Sequence, residues 1–153
     1  MTSYIFSILC LLLLSAFFSA TETAFTSLNR IKMKNMANDD VKNAKLVLKL
    51  EDRYDKLLST ILIGNNIANI GMTAIATVMF VALLGGSLGP TASTVVMTVA
   101  VLIFGEISPK NIAKEHPEGF ALFAAPIMRG LMWLFTPLNV IFSLWKKLLG
   151  KLF

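Results

Sequence analysis

The sequence has one cysteine, one histidine and few charges, and each scarcity removes a class of chemistry. Cys10 stands alone inside the first apolar run, so neither an internal disulfide nor a cysteine-based metal cluster can form. His116, between Glu115 and Pro117, has no second histidine to join it and reads as a surface residue. No nucleophile–base pair, phosphate loop or histidine cluster points to an enzyme. Charged residues make up only 15% of the 153 positions against 56% hydrophobic, and the mean hydropathy is +0.71. That balance excludes a soluble domain of this size and indicates an integral membrane protein.

Basic residues are missing from the first 29 positions and from the turn Gly85–Pro90. Eight of the 14 lie between Arg30 and Lys56, and the rest run from Lys110 to Lys151. Cationic loops stay on the cytoplasmic side, so the pattern predicts three crossings of the plasma membrane, with the N-terminus outside and the C-terminus in the cytoplasm. Topology thus accounts for the formal net charge of +5. No basic run interleaved with aromatics suggests nucleic acid.

The predicted fold is an all-α integral membrane protein. Its spans cover about 3–28, 57–84 and 91–108, each long enough at 1.5 Å per residue to cross a hydrocarbon layer of roughly 30 Å. The first lacks the basic leading region of a signal peptide and is read as a retained helix. Residues 30–56 read as a cytoplasmic pair of short helices that turn at Asn38-Asp39-Asp40. The third span is expected to break at Pro109, with Ile112–Pro117 leading away along the interface. Within 112–153, Pro126, Arg129, Gly130 and Pro137 interrupt an apolar stretch, and a crossing there would carry Lys146, Lys147 and Lys151 outside. Residues 119–149 are therefore expected to lie flat as a kinked juxtamembrane amphipathic helix. Trp133 and Trp145 would sit at headgroup level and the lysines would face anionic lipid headgroups. A fourth crossing is the alternative.

Polar residues inside the spans are the functional candidates, because lipid penalises them. In the first span Ser15, Ser19, Glu22 and Thr26 project onto one side of the helix as an oxygen-bearing stripe. In the second, Asn65 and Asn69 share a face one turn apart, with Asn66 about 100° round. In the third, Glu106 follows Gly105, whose carbonyl loses its α-helical partner because Pro109 has no N–H. Hydroxyls, amides, a free carbonyl and a carboxylate are hard oxygens, suited to Mg²⁺, Ca²⁺ or Na⁺. The bland alternatives are interhelical hydrogen bonding by the serines and amides, and Glu106 snorkelling or paired with Lys110.

Three ordered motifs carry a family resemblance over essentially the whole chain. They are Leu14-Ser-Ala-Phe-Phe-Ser-Ala-Thr-Glu-Thr-Ala, Ile63-Gly-Asn-Asn with Asn69, and Phe104-Gly-Glu-Ile-Ser-Pro-Lys. Together they resemble the transmembrane domain of the CorC/cyclin-M magnesium transporters. The resemblance implies a homodimer of three-span subunits with a juxtamembrane helical belt, exporting Mg²⁺ in exchange for Na⁺. It assigns ligand roles to Ser15, Ser19, Asn65, Asn69 and Glu106, with Gly105 beside them, and leaves Glu22, Asn66 and Lys110 as secondary candidates. Members of that family usually continue into nucleotide-binding CBS domains. This chain, ending on Lys151-Leu-Phe, reads as the membrane module of a longer protein. The competing function is a membrane-anchoring and dimerisation module with no ion site.

Overall fold

The computed structural model describes Met1–Phe153 as helices joined by short turns, with no strand. Three segments are long and apolar enough to cross a membrane: α1 (Thr2–Ser27), α4 (Tyr54–Leu84) and a third running Gly89–Glu115. Between the first two lie the short helices α2 (Arg30–Asn38) and α3 (Ala44–Asp52). The chain closes with α7 (Pro117–Leu134) and α8 (Thr136–Leu152). Large apolar side chains on the spans point outward, with Leu13 72% and Ile70 70% exposed. In lipid such exposure is solvation, so the helices have to be held by packing and polar contacts between them.

Two apolar clusters supply that packing. The larger joins Phe18 and Ala24 of α1 to Leu57 and Ile61 of α4, Met33 and Val47 of the short helices, and Ala121 and Met128 of α7. The smaller, Met72, Ala76 and Met97, seals α4 against the start of the third span. The turn between those two is tight. Gly85 adopts φ +90°, a conformation that side-chain-bearing residues avoid. A Cβ on Gly89 would lie 2.6 Å from the Val81 backbone, so only glycine permits this close return.

The short helices form a braced pair. Asn29 caps α2 by accepting from the N–H groups of Ile31 and Lys32. Arg30 bridges to Glu51 at 2.8 Å and Asp52 at 2.9 Å on α3. Its hydrogen bond to Asp52 leads the effects holding the guanidinium above its ordinary pKa, so the charge persists across the working pH range. The turn after Asn38 uses positive φ at Asp40 and Asn43, two residue types that tolerate it. The Asn43 amide then donates to the Leu122 carbonyl at 3.2 Å, tying the pair to α7.

The third span departs from its expected form. It begins at Gly89, with Pro90 in the first turn of α5 (Gly89–Ala100), and runs through Pro109 without a break. The adjustment is made before the proline, in a π-helical turn over Val101–Ile107, where the Ser108 N–H reaches back five residues to the Ile103 carbonyl. Helix α6 (Ser108–Glu115) continues directly from that turn, with Pro109 as its second residue. Pro109 has no N–H to give the Gly105 carbonyl, but inside a widened turn of a continuing span and not at a helix break. Ile112 and its neighbours accordingly continue the span. The final segment bends by 73° between α7 and α8, next to Pro137, while Pro126 stays inside α7. It is a sharply bent helix pair, the geometry of a broken span or a re-entrant loop.

Candidate functional site

Ser15 sits at the meeting point of all three spans. It is fully buried on α1. Its Oγ lies 3.0 Å from Asn65 Oδ1 and 2.7 Å from Asn69 Oδ1, both on α4. On its other side is the π-helical turn, where a Cβ added to Gly105 would stand 3.2 Å from Ser15 Oγ. Asn65 and Asn69 are one helical turn apart, which is why one hydroxyl reaches both. Gly105 is buried, and its missing side chain leaves the room that Ser15 occupies.

This cluster has more acceptors than protons. The Ser15 hydroxyl carries one hydrogen, and two amide oxygens face it. An amide turned end for end would donate its N–H to Ser15 instead, and one such turn would satisfy the cluster without a ligand. Ser19, one turn along α1, is 1% exposed, and its Oγ has no hydrogen-bond partner. A buried hydroxyl left unpaired costs about 1–3 kcal/mol, which a ligand would repay. Acidic clusters play no part: no group of three or more His, Cys, Asp or Glu side chains is positioned to hold a metal.

The other expected residues make no hydrogen bond to Ser15. Glu106 is next to Gly105, but its carboxylate pairs with Lys110 Nζ at 3.4 Å and is 27% exposed. The pairing with Lys110, the bland alternative for this acid, is therefore the arrangement present. Asn66 is exposed, because its 100° offset from Asn65 turns it off the inner face. Glu22 is half-buried on α1, two turns from Ser15, and Thr26 is exposed and spends its hydroxyl on the Glu22 and Thr23 carbonyls.

The structure adds a polar track that the sequence reading passed over. Thr73 Oγ1 donates to the Asn69 carbonyl at 2.8 Å and Thr77 Oγ1 to that of Thr73 at 2.8 Å. Thr77 also meets the buried Ser93 hydroxyl of α5 at 3.0 Å. Asn65, Asn69, Thr73 and Thr77 thus recur every four residues along α4. That spacing was the available signal.

Comparison with known proteins places the chain in a family. Residues 5–153 match the family model described as the cyclin M transmembrane N-terminal domain. The chain belongs to this family. Relatives of the cyclin M domain include a UPF0053 protein of Haemophilus influenzae, 39% identical over 151 residues, covering 99% of this chain and 36% of that protein. The UPF0053 inner membrane protein YfjD of Escherichia coli is 38% identical over 90% of this chain and 33% of its own length. A protein of H. influenzae named polyamine export protein is 30% identical over 97% of this chain and 37% of its own length. The chain therefore spans about a third of the length of the relatives it matches. The match runs through the three candidate spans of this chain and so includes Ser15, Asn65, Asn69 and Gly105.

Proposed function

We propose that this chain is the membrane domain of a cation transporter whose substrate is Mg²⁺, exported in exchange for Na⁺ by a homodimer. The observation that carries the reading is the convergence of Asn65 Oδ1 and Asn69 Oδ1 on Ser15 Oγ, at 3.0 and 2.7 Å, with the unpartnered Ser19 hydroxyl one turn away. Neutral oxygens in a dry setting replace water around a hard cation, and Mg²⁺ gives up its water reluctantly, so a nearby negative charge has to assist. Glu106, one residue beyond Gly105, supplies that charge when Lys110 releases it. The distribution of basic residues supports an external N-terminus and a cytoplasmic C-terminus in the plasma membrane.

Mg²⁺ flux in sealed proteoliposomes, with and without a sodium gradient, tests the reading. Ser15→Ala and Glu106→Gln are expected to abolish flux while leaving the protein folded. Millimolar Mg²⁺ should raise the thermal stability of the wild type, by about 1.4 kcal/mol at ten times Kd, and not that of the two variants. Retained flux in both variants would overturn the site. Indifference of the wild type to Mg²⁺ would favour the anchoring and dimerisation module instead. The names of the polyamine export relatives favour a second cargo. Spermidine flux exceeding Mg²⁺ flux, and blocked by the same substitutions, would establish it.

A further inference from the structure

A second site lies away from the Ser15 cluster, at the basic end of the bundle. A cavity of about 860 Å³ opens between α3, the start of α4, α7 and α8. Lys49, Arg53, Lys56, Arg129 and Lys147 line it, against the single carboxylate of Asp52. That carboxylate is already engaged by Arg30, and none of the five cations has an ion-pair partner within 4.0 Å. Five unneutralised cations around one hollow repel one another, so an anion entering it is attracted by all of them.

The walls say which kind of anion. Leu46, Met132 and Leu144 give the cavity apolar sides, and Trp133, 80% exposed, stands at its edge. Lys56 is in the first turn of the α4 span, which is the headgroup level of the bilayer, where an amphipathic ring such as that of tryptophan is stable. A free phosphate has no use for those apolar walls, whereas the glycerol and first acyl carbons of a phospholipid do. Deep in the cavity, Asn139 is 6% exposed and its Oδ1 has no donor. Its orientation is fixed: Thr60 Oγ1 gives its proton to the Lys56 carbonyl at 2.8 Å, so the Asn139 amide nitrogen donates to Thr60 at 3.2 Å. The remaining oxygen is buried behind the cavity wall and out of reach of a ligand there.

We propose that this cavity binds one anionic phospholipid of the inner leaflet, with its phosphate among Arg53, Arg129 and Lys147 and its glycerol and first acyl carbons against Leu46, Met132 and Leu144. This site is independent of the cation reading, because none of its residues belongs to the Ser15 cluster.

The experiment titrates the purified chain with phosphatidylglycerol in neutral lipid nanodiscs and follows lipid retention by native mass spectrometry and melting by thermal shift. Phosphatidylglycerol is expected to be retained and to raise the melting temperature, while phosphatidylcholine and soluble glycerol phosphate do neither. Removing two of the cations with Arg53→Gln and Lys147→Gln should weaken retention about 30-fold. The charge-matched pair Lys42→Gln and Lys45→Gln, outside the cavity, should leave it within about twofold. Equal weakening by both charge pairs would reduce the effect to diffuse surface charge and overturn the proposal. A full shift with glycerol phosphate alone would make the ligand a soluble phosphate. Displacement of the lipid by an acidic peptide at equal charge would make it a protein segment.

Discussion

Gly105 is packed directly against the Ser15 hydroxyl, leaving 3.2 Å between Oγ and the point where a Cβ would stand. Alanine there has two opposed effects on folding. It is a better helix former than glycine by about 0.8–1.0 kcal/mol. It also crowds Ser15, at a cost of about 1 kcal/mol, so the two nearly cancel. Gly105→Ala is therefore expected to melt close to the wild type while Mg²⁺ flux falls at least about tenfold, since the serine oxygen has to move from its two amide partners. Normal flux in that variant would remove Gly105 from the site.

If Glu106 serves the proposed Mg²⁺ site, Lys110 competes with the ion for it. The two are one turn apart on the same helix, 3.4 Å from nitrogen to oxygen, and both are partly exposed. Pairs of this spacing contribute about 0.3–0.5 kcal/mol, which is about a factor of two in an equilibrium. Lys110→Met should accordingly raise the apparent Mg²⁺ affinity about twofold, read from the concentration dependence of flux. A lower affinity would mean that Lys110 positions the carboxylate instead of withholding it.

How much of this was legible follows from what each residue could signal. Ser15, Asn65 and Asn69 were visible because polar side chains inside apolar runs stand out, and their spacing put the two amides on one face. The same count of asparagines over-credited Asn66, although its 100° offset already turned it away. Pro109 was read as a helix breaker, but a π-helical turn placed ahead of it lets the span continue, and nothing in Val101–Ile107 announces that turn. The destination of Glu106 was undecidable from the chain alone: Lys110 at i+4 and the serines of α1 were both within reach. Bends between α7 and α8 depend on what those helices pack against, so the prolines marked candidate positions without choosing among them.

Thr77 and Ser93 offer a measurement of the polar contacts that hold α4 to α5. Threonine in mid-helix looks neutral in sequence, yet here its hydroxyl serves both the Thr73 carbonyl and Ser93. Hydrogen bonds between membrane helices average about 0.6 kcal/mol because the separated helices find other partners. A double-mutant cycle of Thr77→Val and Ser93→Ala, followed by denaturation in mixed micelles, should give a coupling of about that size. Coupling near zero would mean that the apolar contacts of Met72, Ala76 and Met97 alone set this interface.

Gly64 of α4 packs directly against the Phe18 ring of α1. A Cβ on Gly64 would overlap the Phe18 ring, which is 2% exposed and enclosed by the larger apolar cluster. The ring has no free space to retreat into, so Gly64→Ala is expected to destabilise the bundle by about 1–3 kcal/mol, the usual cost of overpacking. Phe18→Leu frees part of that volume, and the double variant should be more stable than the sum of its parts implies, by at least about 0.5 kcal/mol. The same approach sets the separation at which Ser15, less than one turn before Phe18, meets Asn65 immediately after Gly64. Gly64→Ala should therefore weaken Mg²⁺-dependent stabilisation as well as lowering the melting temperature, and Phe18→Leu should restore both together. Recovery of stability without recovery of the Mg²⁺ response would show that the spacing of α1 and α4 does not control the oxygen cluster.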